Sequence, residues 1–419
     1  MSDDTALPIL GQRVGPLTAR HVLEACLASG ADPARSLYIH TPFCAHKCHY
    51  CDFYSFVDTR DREAAFVQRL GDELRALAPL TKGQPLRTVF IGGGTPSLLS
   101  DGAWQRLLAD LHGAFRLGTE HEPAEFTVEC NPESVRHSLA AILAEGGVNR
   151  VSLGAQSFDA HHLATLERRH DPARVSTALA MLADAGIERR SIDLMYAIPD
   201  QTLDELVRDL DAALALPIDH LSAYNLTYEP NTAMTTRLHR GEFLPTGEDL
   251  ELAMFDLIAE RAADAGFDRY EVSNYARPGG ECRHNLAYWR QEPWLAAGPS
   301  ASAHVGGHRY KVVPRLDSYL QRSDQGLPAI NDHEPPDAKR LIAETIMTGL
   351  RLREGVDGPA LTGTLLRIDP GAGTALQEEV EACRARGWLT PDASRWTLTP
   401  AGLPLADHVA SELMSRVLA

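Results

Sequence analysis

"HTPFCAHKCHYCDFYSF" (residues 40–56) carries Cys44, Cys48 and Cys51 in the spacing C-x3-C-x2-C, and no fourth cysteine follows. The whole chain has seven cysteines, an odd number, so crowding three of them into one short loop points to metal ligation over disulfide pairing. Three thiolates on one loop suit three corners of a cubane iron–sulfur cluster, because cluster iron takes soft sulfur ligands. The fourth iron then has no protein ligand and is open to a substrate or cofactor. An open position marks a working metal more than a structural one. The alternative is tetrahedral zinc completed by His46 or His49. Against it, both histidines lie inside the loop, whereas structural zinc usually draws its ligands from two separate knuckles.

Outward from the loop, "SLYIH" (36–40) reads as a short strand leading into the cysteines. A helix is expected at about 61–78, apolar at Phe66, Leu70, Leu74 and Leu77. The alternation then repeats. "TVFIGGG" (88–94), "EFTVECNP" (125–132), "RVSLGAQSF" (150–158), "SIDLMYAIP" (191–199) and "HLSAYNLTYEP" (220–230) read as strands separated by helical patterns. Six alternations predict an α/β fold with a parallel sheet or an incomplete barrel; a full eight-fold barrel is not visible. We expect residues 1–35 to be an N-terminal extension, with a polar start and a short helix in "TARHVLEACLAS", and 36–245 to be the core barrel. Residues 246–330 should form an extension, with a helix at about 247–265 and an irregular aromatic-rich stretch over 270–310. Residues 335–419 should form a smaller helical or winged unit, in which "RWTLTPAG" resembles a β-wing before the last helix.

Composition narrows the function classes. The formal net charge is −17, which argues against nucleic acid and against an anionic membrane surface as partners. The winged unit carries no basic stripe, so a structural or protein-contact role is expected for it. No run of 18 apolar residues exists, and "MSDDTALPIL" lacks the basic and apolar regions of a signal peptide. A cytoplasmic location is expected.

C-x3-C-x-Φ-C, with Tyr50 just before the last cysteine, resembles the signature of the radical S-adenosylmethionine (SAM) enzymes. The resemblance implies a partial (β/α)6 barrel of TIM-like type and a [4Fe–4S] cluster on Cys44, Cys48 and Cys51. The amino and carboxylate groups of SAM would chelate the open iron. "GGGTP" (92–96) looks like the family motif that contacts the SAM amino group. By the same resemblance Tyr38, Tyr50, Gly93, Gly94, Thr95, Glu129, Gln156, Arg168 and Asp193 line SAM. A carboxylate such as Glu129 or Asp193 can accept from ribose hydroxyls, and Arg168 can pair with the SAM carboxylate. Each polar residue taken alone also suits a helix cap or a solvated loop. Several of them stand at the C-terminal ends of strands, where barrel active sites are built.

Within that superfamily the flanks "SLYIHTPFC", "FIGGGTPSLL", "GAQSF", "IDLMYAIPDQT" and "YNLTYEPNT" resemble the branch that holds the coproporphyrinogen dehydrogenases and the heme chaperones. The dehydrogenases carry a further cysteine two residues past the trio, where this chain has Phe53. "CRHNLAYWR" (282–290) contains H-N-x-x-Y-W, which resembles the mark of the heme chaperones. That implies heme contact by His284, since imidazole is a common axial ligand of heme iron. The alternative is a hydrogen-bonded histidine in a structural turn. Related chains carry a histidine where this one has Ser302, so the displaced His304 is not assigned as a ligand. Cys26, Cys130, Cys282 and Cys383 are expected to be buried and structural, with Cys282 kept as a minor heme-thiolate alternative. The expected function is to hold heme and deliver it to acceptor hemoproteins. Oxygen-independent coproporphyrinogen III dehydrogenation is the alternative. A homodimer and peripheral membrane contact through an acceptor are compatible with this reading.

Overall fold

The computed structural model of the chain describes residues 19–321 and 324–419. The polar start expected before residue 19 lies outside the described residues. Strands β1 (Ser36–Thr41), β2 (Thr88–Gly93), β3 (Glu125–Cys130), β4 (Arg150–Gln156), β5 (Arg189–Tyr196) and β6 (His220–Asn225) pair in parallel and in chain order. Helices Glu63–Leu77, Asp101–Ala114, His137–Glu145, Ala173–Asp184 and Leu203–Leu214 supply the crossovers that parallel pairing requires. The predicted α/β alternation is thus observed, with small shifts at element ends.

The two-residue period of the strands separates two faces. Leu37, Ile39, Val89, Ile91, Val128 and Val151 are each 0% exposed and pack with the helices, whose predicted apolar positions Phe66, Leu70 and Leu74 are equally buried. The opposite face is polar. It carries Thr127 and Glu129 of β3, Arg150 and Ser152 of β4, Ser191 and Asp193 of β5, and His220 and Ser222 of β6. Register sets Glu129 beside Ser152 and Gly154 beside Asp193. Hydrogen bonds knit this face together: Ser152 Oγ donates to Asp193 Oδ1 at 3.0 Å, and Ser191 Oγ meets His220 Nδ1 at 2.7 Å. The main apolar core therefore lies between sheet and helices, and the inner face is left for chemistry.

The stretch 270–310, expected to be irregular, instead helps extend both edges of the sheet. Strand β8 (Asn274–Ala276) pairs antiparallel with β6, and β7 (Asp268–Glu271) pairs antiparallel with β8 at the edge. Strand β9 (Trp294–Ala297) runs parallel to β1, with Ser36 beside Trp294. Strands β10 (Ser302–Val305), β11 (His308–Val312) and β12 (Ile330–Glu334) continue from it. The result is an open twelve-stranded sheet. Strands this short show no readable period, and they form because distant partners supply their hydrogen bonds.

Beyond the sheet, helices Ala338–Gly349, Gly358–Ile368, Pro370–Ala385 and Ala406–Leu418 enclose a second core around Ile346, Leu365, Leu376, Val409 and Leu413. Asp337, Asp357 and Asp369 cap the first three, each accepting a backbone N–H from the third residue on. The expected wing is reduced to the antiparallel bridges Leu389–Leu398 and Val356–Trp396. No described helix is long and apolar enough to cross a membrane.

Candidate metal centre at the barrel mouth

The cysteine loop leaves the C-terminal end of β1 and folds back on itself. Phe56 N donates to Pro42 O and Cys44 N donates to Phe56 O, each at 3.0 Å, while Cys51 N reaches Cys48 O at 3.3 Å. All three thiols are free and half-buried. They line one cavity of about 970 Å³, together with Tyr50, Gly93, Gly94, Thr95, Glu129, Gln156, Arg168 and Asp193. Eight residues named from sequence thus meet the cysteines around one space. Tyr38 is not among the lining residues; its hydroxyl pairs with His40 Nδ1 at 3.1 Å.

The glycines of "GGGTP" act in a way the sequence did not reveal. They also admit other parts of the chain. A Cβ on Gly92 would lie 2.6 Å from Glu129 Oε2, one on Gly93 2.5 Å from the His40 ring, and one on Gly94 2.6 Å from Phe43 O. Gly93 also holds φ +107, open to glycine but strained for other residues. The turn after β2 is thereby stitched to the cysteine loop: Gly94 N donates to Thr41 O at 2.6 Å and Thr95 N to Phe43 O at 2.7 Å.

Two side chains reach the sulfurs. Thr95 Oγ1 donates toward Cys44 Sγ at 3.6 Å, and Arg168 Nη1 toward Cys48 Sγ at 3.7 Å. Asn131, which the sequence reading left unassigned, joins them. Its Oδ1 accepts from Arg168 Nη2 at 2.9 Å and its Nδ2 donates to Thr95 Oγ1 at 3.3 Å. Its position in "ECNP", just past the end of β3, was the available signal. Gln156 closes β4 at a bulge with φ 64, an uncommon backbone for a residue with a side chain. Burial pushes the Cys51 thiol above its ordinary value, and Cys48 and Cys44 push it the same way. A coordinated metal reverses that preference outright.

The zinc alternative fits poorly. Zinc–sulfur bonds of about 2.3 Å require tetrahedral sulfurs about 4 Å apart. Among the described residues, the cysteine trio is not one of the groups whose ligand atoms lie within 4.8 Å of one another. Of the two loop histidines, His49 is engaged elsewhere. His46 Nε2 faces Glu167 Oε2 at 3.6 Å, and His49 Nδ1 accepts from Arg237 at 3.3 Å. A cubane, whose cysteines bind separate irons, tolerates the wider spacing. Arg168 Nε is enclosed without a hydrogen-bond partner, as a site awaiting an anionic group would leave it.

Glu129 and Asp193 stand opposite the loop. Gly93 N donates to Glu129 Oε2 at 3.1 Å. Burial, then the nearby Asp193, pushes the Glu129 carboxyl up to about 7, and burial also raises Asp193. A carboxyl raised in this way destabilises the fold as pH climbs from its unfolded value toward 7, and the penalty is constant above that. Glu129→Gln is therefore expected to raise the thermal midpoint at pH 8 but not at pH 4.5. The same change should weaken SAM binding at least about ten-fold, through loss of a charged acceptor. Equal stabilisation at both pH values would contradict the assignment.

His284 lies apart from this cavity. It opens the helix Arg283–Trp289, is 1% exposed, and its backbone N donates to Glu125 Oε1 at 2.9 Å. Nδ1 meets Thr88 Oγ1 at 2.8 Å, the ring stacks on Phe90 at 5.2 Å, and Nε2 has no partner. Burial pulls its pKa down to about 3, so the ring is neutral. Cys282 Sγ lies 3.5 Å from Glu125 Oε1, and Cys26, Cys130, Cys282 and Cys383 are all buried and free, as expected. His304, in β10, packs edge-on against Trp294 at 5.1 Å.

An open α/β barrel with three thiols and paired carboxylates at its C-terminal mouth defines a radical SAM protein. The radical SAM superfamily model matches residues 38–213, and the HemN C-terminal domain model matches residues 337–405. The chain is 36% identical to the heme chaperone HemW of Mycobacterium tuberculosis over 384 residues, 90% of this chain and 94% of that one. It is 34% identical to HemW of Escherichia coli over 374 residues, 88% of this chain and 95% of that one. The chain belongs to the heme chaperone HemW family. The solved coproporphyrinogen III oxidase HemN of Escherichia coli shares the fold, with a TM-score of 0.81 at 21% identity, covering 95% of this chain and 93% of that one. Family membership implies a [4Fe–4S] cluster and SAM, and the residues around the cavity fit both.

Proposed function

We propose that this chain binds heme and passes it to acceptor hemoproteins in the cytoplasm, with Cys44, Cys48 and Cys51 holding a SAM-ligated [4Fe–4S] cluster. When bound, that pair supplies reductive cleavage of SAM to a 5′-deoxyadenosyl radical. The chain's own residues position it: Thr95 and Arg168 donate toward the sulfurs, Asn131 holds both donors, and Glu129 and Asp193 present acceptors to ribose hydroxyls.

The observation that carries the chaperone reading over the oxidase reading is the charge of the cavity wall. Beyond the cluster loop the cavity is lined by Glu229, Glu248, Asp249, Glu251 and Asp407. Of its cations, Lys47 belongs to the loop and Arg168 reaches a loop sulfur, which leaves Arg351. Coproporphyrinogen III carries four propionates, and carboxylates around the open mouth of the cavity, Glu248, Asp249 and Asp407 among them exposed, disfavour their approach. Phe53, 63% exposed where the oxidases place a cysteine, agrees.

Heme contact falls instead to His284. Its Nδ1 is oriented by Thr88 and its Nε2 is unpartnered, the arrangement of a histidine prepared for a metal. Because the ring is buried, iron reaches Nε2 only if the helix Arg283–Trp289 shifts. Heme titration should give a Soret shift together with altered amide exchange in residues 283–289. An apo-hemoprotein added afterwards should draw the heme away. Coproporphyrinogen III incubated with SAM and reductant should yield no protoporphyrinogen, and clear turnover would restore the oxidase reading.

A further inference from the structure

Asp159, His162 and Glu205 form a second group of ligating side chains, outside the cavity described above. Their ligand atoms all lie within 4.8 Å of one another. Asp159 caps the short helix Ala160–Thr165, and its Oδ1 accepts from His161 N at 2.7 Å. Glu205 sits in the first turn of Leu203–Leu214, where Oε2 accepts from Thr202 N at 2.8 Å. His162 lies between them with its side chain 1% exposed, and neither ring nitrogen has a hydrogen-bond partner. Its nearest carboxylate contact is Nε2 to Glu205 Oε2 at 3.5 Å, beyond the usual reach of an N–H···O bond. A buried imidazole left this way needs a partner.

We propose that Asp159, His162 and Glu205 bind a divalent transition-metal ion of the zinc class, separate from the cluster centre. One imidazole nitrogen with two carboxylates is a borderline donor set, which suits zinc better than the oxygen cages of calcium or magnesium. Zinc bonds of about 2.0–2.2 Å place tetrahedral ligand atoms about 3.4 Å apart, so a small closure of the trio would supply three ligands, with water as the fourth. Two carboxylates balance the ion's charge. The neighbouring Asp209 is committed elsewhere, accepting from Ser157 Oγ at 2.6 Å and Phe158 N at 2.7 Å. The ion would tie the segment after β4 to the helix Leu203–Leu214. Arg168 leaves that same segment, its N donating to Leu163 O at 2.8 Å and its Nη1 reaching toward Cys48 Sγ. An ion here would thus hold the base of the arm that approaches the cluster loop.

The test uses the full chain with Cys44, Cys48 and Cys51 replaced by serine, stripped of metal and titrated with zinc by calorimetry. One equivalent is expected to bind, with a rise in the thermal midpoint. Asp159→Asn keeps the helix cap but removes a charged ligand, and His162→Leu keeps an apolar core volume. Each should weaken zinc binding at least about ten-fold and abolish the rise in midpoint. The proposal is overturned if the parent takes up no zinc. It is equally overturned if uptake persists undiminished in both variants, which would direct attention to the group Glu379, Cys383 and Glu412.

Discussion

Serine at Cys44, Cys48 or Cys51 is expected to leave anaerobically reconstituted protein with close to no cluster iron, against about four iron and four sulfide per unaltered chain. Each thiolate would hold one corner, and a serine hydroxyl is a harder and far weaker ligand for cluster iron. The nearby His49 is already committed, its Nδ1 accepting from Arg237 at 3.3 Å. The fold should survive the change. The loop is closed by backbone bonds among Pro42, Cys44 and Phe56, and by the glycine turn after β2, none of which uses a sulfur. Thermal midpoints of the metal-free variants should therefore stay close to that of the metal-free parent. Zinc without iron in the unaltered, air-free protein would end the radical SAM assignment.

His284→Ala should lower heme affinity at least about ten-fold and remove the Soret shift, because it deletes the proposed axial nitrogen. It also empties a packed site. The ring's hydrogen bond to Thr88, its stack on Phe90 and its edge contact with Tyr288 at 4.7 Å all disappear. The stability cost should be on the order of 3 kcal/mol. Thr88→Val separates the two effects: it keeps the imidazole and its packing but releases its orientation. Heme binding in that variant should fall less than in His284→Ala. An unchanged spectrum in His284→Ala would remove this residue from the heme site.

Several parts of the site were legible beforehand for local reasons. The cysteine spacing lies within one loop, and the six strands announce themselves by apolar runs and glycine punctuation. The carboxylates could be singled out because Glu129 sits near the end of β3 and Asp193 in the second half of β5. Other features depend on which distant segments meet. Nothing local to the loop glycines shows that Glu129, His40 and Phe43 O pack against them. Asn131 gained its role only when β3 set it between Arg168 and Thr95. Tyr38 was grouped with the cavity, but its hydroxyl is taken by His40. The strands within 270–310 were missed because pairing partners, not periodicity, create them.

The amino-acid order alone settles that this chain alternates six strands with helices and sets a three-thiol loop after the first strand, since both follow from short-range pattern and spacing. Register and burial decide the rest. They bring carboxylates from the segments after β6 and from the last core around the cavity, and they seal His284 behind Thr88 and Phe90. Those outcomes depend on contacts between residues far apart in the chain, which no local pattern encodes.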